Sequence, residues 1–427
     1  MKILWIVFDT LRNDYGIKYL GNILQKLGFQ YFKAIAPSNW TIPSHFSMFT
    51  GLYPSQHGIH EKPFEKDLIY QPIWEYDSIL KYVRILGFKI AWFTANPYLV
   101  NSLGWYGFDY YRYFRLCYDP DEEEMKLINK IRDSGYIVDR LFLLLRPKLF
   151  LSCMKILYSR LVKTPFMFLT KKREVKRSKE IFNKILETMQ VESDFDLFIF
   201  SNIMEVHEPY SPVEKIISML STNIRNLFYA NTDSTNKKEI SFLQKIKISC
   251  FKKGYPQSLT TLRDFLKIYL PKILNSLKNE KEYLIIFTSD HGQMLWEKKY
   301  IGHEWGLFNE LVEVPLWIKK SDGKIKKMKN KVISLTSLPN FVKAFINKEK
   351  NYENILFSDY AFSENFGLAT IKVKDPWVEK YRIRCTSSKG YVIYNVDDNK
   401  VEYKFGKWKD CLNKIKDYLN NLETFSN

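Results

Sequence analysis

The sequence predicts an α/β fold, a mostly parallel sheet flanked by helices. Two observations predict it. Short apolar, β-branched or aromatic runs recur along the chain, and longer segments of helical character separate them.

The elements follow in order. Ile3–Phe8 is an unbroken apolar run that stops at Asp9 and reads as the first strand. Tyr15–Leu27 and Ser78–Leu86 read as helices, and Lys89–Phe93 and Leu197–Ser201 as further core strands. Leu259–Leu277 carries apolar residues at helical spacing just before the strand Leu284–Thr288, and Val314–Ile318 completes the set. From residue 117 to 189 the chain is charged and amphipathic, with the basic run Lys171-Lys172-Arg173, and is expected to be a helical insertion. The composition turns polar at Asn347–Asn354. Beyond it, Tyr381–Phe405 alternates like antiparallel strands around Asp397-Asp398-Asn399, and Trp408–Leu422 has helical character. The expected organisation is therefore a large domain, 1–346, interrupted by the insertion 117–189, and a small C-terminal α+β subdomain, 347–427.

Composition narrows the class of protein. With 427 residues, 46% hydrophobic and 16% aromatic, the chain has ample material for a buried core. Lys and Arg exceed Asp and Glu by 65 to 47, a net charge of +18 that favours anionic partners without identifying them. The five cysteines are scattered and form no C-x-x-C pair, so neither a zinc ribbon nor a disulfide framework is indicated and reduced, buried thiols are expected. The apolar run at the N-terminus is too short for a secretory signal. Leu141–Leu169 is interrupted by Arg146, Lys148, Lys155, Arg160 and Lys163 and falls short of the roughly 18 uninterrupted residues of a membrane span. A cytoplasmic protein is expected.

The chemistry-bearing residues lie at predicted strand ends. Asp9 follows the first strand and Asp290 a later one, placing both at the carboxyl edge where open α/β sheets bind ligands. Asp290-His291-Gly292 sets a carboxylate beside an imidazole, a pair suited to a divalent cation, with a glycine that permits close backbone approach. In Ala36–His60, Thr41 precedes a proline-containing turn followed by Ser44-His45. A threonine hydroxyl is a weak nucleophile unless activated, and contact with a metal is one means of activation.

Taken in order, DTLRND, TIPSHFSMFTGLYPSQHG, VHEPYSP, FTSDHG and GHEWGLFNELVEVPLWI resemble the successive motifs of the sulfatase family within the alkaline phosphatase superfamily. They run from residue 9 to 318. The resemblance implies an alkaline-phosphatase-like core with its active site at the carboxyl ends of the strands. By position, Asp9, Asp290 and His291 match the family's metal ligands, and Thr41 matches the nucleophile that also touches the metal. His207 matches a histidine that contacts the transferred group, and His303 one that contacts the ester or acts as acid or second-metal ligand. Such a second site would need an oxygen donor such as Glu205, which is equally expected as a structural residue near a strand end.

The departures from the family pattern bear on the chemistry. Sulfatases typically carry C/S-x-P-x-R and convert its first residue to formylglycine, whereas this chain reads Thr41-Ile42-Pro43-Ser44-His45. Formylglycine cannot form from threonine, His45 stands where the arginine would be, and the family's double aspartate is Asp9-Thr10, with Arg12 or Asp14 nearby to compensate. This version resembles the phosphodiesterase and phosphoglycerate mutase side of the superfamily. The expected activity is metal-dependent hydrolysis of phosphoric or sulfuric esters through a covalent Thr41 intermediate, with His303 or His207 protonating the leaving group and His45 in the catalytic set. The alternatives are transfer of the phosphoryl-bearing group to an alcohol and a catalytically silent binding protein on the same fold. The cofactor expected is one divalent ion, zinc or manganese ahead of calcium. The partner expected is a small-molecule or glycan- or lipid-linked anionic ester, and no specific nucleic acid. The basic insertion either touches an anionic membrane or caps the crevice, or else packs on the core with its lysines in water.

Overall fold

The computed structural model describes residues 1–60, 71–114, 176–210, 242–303, 306–366 and 380–425. Most of the predicted insertion, including the basic run at Lys171, lies outside them. Among the described residues no helix is long and apolar enough to cross a membrane.

Seven strands form the central sheet: β1 (Lys2–Phe8), β2 (Gln30–Ile35), β3 (Lys89–Thr94), β4 (Tyr110–Tyr113), β5 (Leu197–Ile203), β6 (Tyr283–Thr288) and, after a short hairpin of β7 (Met294–Leu295) and β8 (Ile301–Gly302), β9 (Glu313–Lys320). Their order is β2-β9-β6-β1-β5-β3-β4. β1 lies between β5 and β6, parallel to both, and β3 is parallel to β5 and β4. β9 runs antiparallel to β6 and to β2, so the sheet is mostly rather than wholly parallel.

β1 shows why its sequence is apolar throughout. Ile3, Trp5 and Val7 enter one core, while Leu4, Ile6 and Phe8 enter the other, and none is exposed. A strand buried on both faces has no polar position to alternate with. The first core is closed by the helices Thr41–Thr50, Ile79–Ile85 and Leu338–Ile346. The second is closed by Ser178–Val191 and the long helix Phe242–Ser276. Ser178–Val191 buries Ile181, Phe182, Ile185 and Met189 in that second core, so the described end of the segment read as an insertion is part of the layer over the sheet. The helix expected at Tyr15–Leu27 is present as Asn13–Gly16 and Asn22–Lys26, joined by a π-helical turn at Ile17–Gly21.

A second sheet of four antiparallel strands, β10 (Tyr360–Asn365), β11 (Arg382–Ser387), β12 (Gly390–Asn395) and β13 (Lys400–Gly406), packs against the helix Lys409–Phe425. It is the small α+β unit that the alternation of Tyr381–Phe405 announces. β10 is stitched to the loop after β2: Glu364 N donates to Pro37 O, Ser363 Oγ to Ala36 O and Ser38 Oγ to Glu364 O.

Glu364 is fully buried here, its carboxylate accepting from Ser55 N at 2.7 Å and Ser55 Oγ at 2.9 Å. Burial lifts its pKa from the ordinary 4.5 to about 7. Between these values the folded chain keeps a proton that the unfolded chain releases. This part of the stability is thus complete below pH 4.5 and lost as pH rises through about 7. The loss is on the order of 3 kcal/mol. Glu364→Gln is expected to flatten the fall in urea stability across that window; a variant with the wild-type slope would contradict the assignment.

Candidate active site

The polar residues that gather at the carboxyl edge do so because four neighbouring parallel strands end there. Asp9 follows β1, Asn96 follows β3, Asn202 lies near the end of β5, and Ser289, Asp290 and His291 follow β6. Thr41 arrives from outside the sheet as the first residue of the helix Thr41–Thr50. Trp40 before it is extended, and Pro43 sits in the first turn, where a missing N–H costs nothing. Gly51, at φ +81°, ends the helix in the left-handed conformation.

Asp9, Asp290 and His291 are fully buried, and their ligand atoms all lie within 4.8 Å of one another. Asp9 spends Oδ2 on hydrogen bonds from Asn96 Nδ2 (2.7 Å) and Asn202 Nδ2 (3.2 Å). Asp290 spends Oδ1 on the backbone N–H groups of Thr10 and His291. One oxygen of each carboxylate, Asp9 Oδ1 and Asp290 Oδ2, is left without a hydrogen-bond partner. His291 donates from Nδ1 to Gly292 O at 3.0 Å, so Nε2 presents its lone pair. That nitrogen lies 3.9 Å from Asp9 Oδ1 and 3.4 Å from Asp290 Oδ2.

Ligands about 2.1 Å from a tetrahedral cation are about 3.4 Å apart, so these three atoms can hold a divalent ion with small adjustments. The electrostatics agree. Burial, then the neighbouring Asp9, push the Asp290 carboxyl well above the usual range, and burial lowers His291 to about 4. Two buried carboxyls that resist ionising together, beside an imidazole that burial keeps neutral, form a site that a cation could occupy. No other trio of this kind occurs among the described residues.

Thr41 Oγ1 lies 3.5 Å from His291 Nε2 and 3.4 Å from Asn96 Nδ2. His207 donates from Nδ1 to Glu208 O and presents Nε2 at 4.0 Å from Asp9 Oδ1. The His303 ring stands 4.5 Å from that of His291 and 5.5 Å from that of His207. The structure therefore brings Asp9, Thr41, His207, Asp290, His291 and His303 together.

His45 sits deeper. It is fully buried, with its Nδ1–H on Thr41 O at 2.8 Å and its ring edge-on to Phe200 and Trp105, and burial lowers its pKa to about 4. Glu205 is turned to other work: Ser178 Oγ donates to its carboxylate at 2.9 Å, and Lys176 Nζ to its carbonyl. Arg12 and Asp14 do not fill the place of a second aspartate either. The buried guanidinium bonds both Asp14 oxygens, Glu297 Oε1 and Gln293 O. Of the remaining histidines, His57 accepts from Ile59 N at Nδ1 and so donates from Nε2 to Ser47 Oγ, a structural bond.

Supporting residues hold the loops in place. Thr10 is a β-branched residue at φ +61°, a conformation costing roughly 1–3 kcal/mol, and its carbonyl accepts from Tyr255 OH on the long helix. Ser289 Oγ links Leu11 N to His291 O. At Gly292 a Cβ would lie 2.0 Å from Glu310 O, which explains the glycine after His291: the backbone of Asn309–Val312 fills that space.

A mostly parallel sheet covered on both faces, with buried acids and imidazoles gathered at one edge and a small antiparallel sheet beside them, is an alkaline-phosphatase-like α/β architecture. Within it the model of the sulfatase family matches residues 3–345, and the chain belongs to that family. Among solved structures it is similar to the phosphonate monoester hydrolase from Silicibacter pomeroyi, at 12% identity and a TM-score of 0.61, over 98% of this chain and 94% of that one. The phosphonate monoester hydrolase of Agrobacterium radiobacter gives 13% and 0.56, over 93% and 90%. A 2-O GAG sulfatase gives 10% and 0.57, over 100% and 92%. At these identities the likeness is one of fold. No curated protein matches the chain.

Proposed function

We propose that the protein is a divalent-metal-dependent hydrolase of phosphoric or sulfuric esters that works through a covalent ester on Thr41 and prefers phosphorus over sulfur. The observation that carries this reading is the position of Thr41 Oγ1, 3.5 Å from His291 Nε2, the same nitrogen that lies 3.9 Å from Asp9 Oδ1 and 3.4 Å from Asp290 Oδ2. A divalent ion held by Asp9, Asp290 and His291 would supply Lewis-acid stabilisation and favour the ionised hydroxyl beside it.

The chain's own residues do the rest. Thr41 attacks in line, and the first-turn N–H groups of its helix, which have no side-chain cap, face the negative charge that develops. His207, with Nδ1 fixed on Glu208 O and Nε2 4.0 Å from Asp9 Oδ1, and His303, its ring 4.5 Å from that of His291, are the candidates to protonate the leaving alkoxide. Thr41 cannot take the formylglycine route, so sulfate esters lose the chemistry by which the family cleaves them.

The fold neighbours include both phosphonate hydrolases and a sulfatase, so the decisive assay sets aryl sulfates, phosphate monoesters, phosphodiesters and phosphonates side by side with added zinc, manganese or calcium. Phosphorus esters are expected to be turned over at least about tenfold faster than sulfates, a difference of about 1.4 kcal/mol in barrier. A clear preference for aryl sulfates would overturn the reading.

A further inference from the structure

We infer that Asn96 is a positioning residue for the Thr41 hydroxyl, holding it for attack through the amide N–H that is not committed to Asp9. This rests on Thr41 being the nucleophile, as proposed above.

The argument starts from the orientation of the amide. Asn96 is 1% exposed, and its Oδ1 accepts from the backbone N–H of Tyr98 at 2.8 Å. Its other amide atom is 2.7 Å from Asp9 Oδ2, where an oxygen would meet a carboxylate oxygen with no proton between them. The amide is thereby fixed in one orientation, nitrogen toward the site. The backbone helps to hold it, since Asn96 N donates to Thr94 Oγ1 at 2.9 Å.

Two N–H bonds leave that nitrogen. One is used on Asp9, and the direction of the other is occupied by Thr41 Oγ1 at 3.4 Å. A donor there can only address a lone pair of the hydroxyl oxygen. It therefore turns the hydroxyl proton away from Asn96 and strengthens as negative charge grows on the oxygen, since bonds to ionised acceptors are shorter and stronger. It also sets a distance: Asn96 bonds a metal-ligand candidate and the nucleophile through one atom, so the two cannot drift apart independently.

Asn202 supplies the control. It too donates to Asp9 Oδ2, at 3.2 Å, but none of the hydrogen bonds of Thr41 goes to it. A role limited to orienting Asp9 is shared by both asparagines; a role at Thr41 belongs to Asn96 alone.

The test compares Asn96→Ala with Asn202→Ala in the full chain, on the phosphorus ester that the panel identifies. The readouts are kcat, KM, the pH profile of kcat, and the metal content and thermal unfolding of the purified proteins. Asn96→Ala is expected to lower kcat by about 100-fold with KM little changed, and to move the rising limb of the kcat profile up by about one pH unit, as loss of a donor to a developing oxyanion requires. Asn202→Ala is expected to leave that limb in place, with comparable metal content and unfolding in both variants. Equal effects of the two substitutions on kcat and on the pH limb would overturn the inference. So would an Asn96→Ala defect confined to metal content. Thr41→Ala separates the two levels. If it stays active, the nucleophile reading fails and this one with it; if it is inactive while the two asparagine variants behave alike, only the role of Asn96 is lost.

Discussion

Thr41→Ala is expected to abolish measurable turnover, a loss of at least about a thousandfold or about 4 kcal/mol in barrier, while the protein stays folded and keeps its metal. The expectation follows from what the substitution removes. Oγ1 is the atom placed beside His291 and Asn96, whereas the carbonyl that receives His45 Nδ1 is backbone and survives. Asp9, Asp290 and His291 keep their own atoms, so metal content measured on the purified variant should match the wild type. Thr41→Ser keeps the attacking oxygen and should retain part of the activity. An alanine variant within about tenfold of wild type, near 1.4 kcal/mol, would remove Thr41 from the role.

The second large effect concerns the buried acids. Asp290→Asn and His291→Ala are each expected to lose bound metal, with activity partly restored by excess metal. For Asp290→Asn the consequence for stability has an unusual sign. In the metal-free protein Asp290 leaves Oδ2 without a hydrogen-bond partner beside Asp9, and burial and that neighbour both oppose its ionisation. Asparagine relieves the repulsion, so the metal-free variant should unfold at a temperature equal to or above that of the metal-free wild type. Added metal should reverse the order, because a ligand present at a hundred times its Kd stabilises the wild type by about 2.7 kcal/mol and the variant by much less. Thermal unfolding with and without metal reads both arms. Full metal occupancy in both variants would show the ligand assignment to be wrong.

How much of this was legible in the sequence depended on burial. β1, β5 and β6 are covered on both faces and spell out continuous apolar runs, so each was located to within a residue or two. β2 and β4 were not anticipated. They lie at the two ends of the sheet, where the half-exposed Lys33 and Arg112 interrupt the apolar pattern. β10 was hidden for a different reason: Ser363, Glu364 and Asn365 are buried by hydrogen bonds to other segments rather than by apolar contact. The long helix was seen only from Leu259, because Pro256 and the basic stretch before it obscure the helical spacing of the part that begins at Phe242.

The site followed the same logic. Asp9, Thr41, Asp290 and His291 stand in motifs with their own chemistry, were singled out on that ground, and come together in the structure. Asn96 and Asn202 are single asparagines in no motif. The signal that finds them is positional: each lies at the carboxyl end of a central strand, the rule that had already selected Asp9 and Asp290. Glu205 stayed open between ligand and structural residue because its place near a strand end says nothing of which way its side chain turns, and Ser178, distant in sequence, decides that.

The stitching of β10 to the loop before Thr41 sets a limit on dissection of the protein. A fragment cut at residue 345, where the family match ends, would strip the hydrogen-bond donors from Ala36 O and Pro37 O. It would also remove Asn365, whose Nδ2 donates to Asn39 Oδ1 at 2.7 Å while Asn39 Nδ2 holds His303 O at 3.1 Å. The segment that carries Thr41 and the loop that carries His303 share that support. The boundary of the family match and the boundary of the smallest unit that keeps this site supported therefore do not coincide, and the C-terminal sheet is a scaffold of the candidate site rather than an accessory that expression or engineering can trim away.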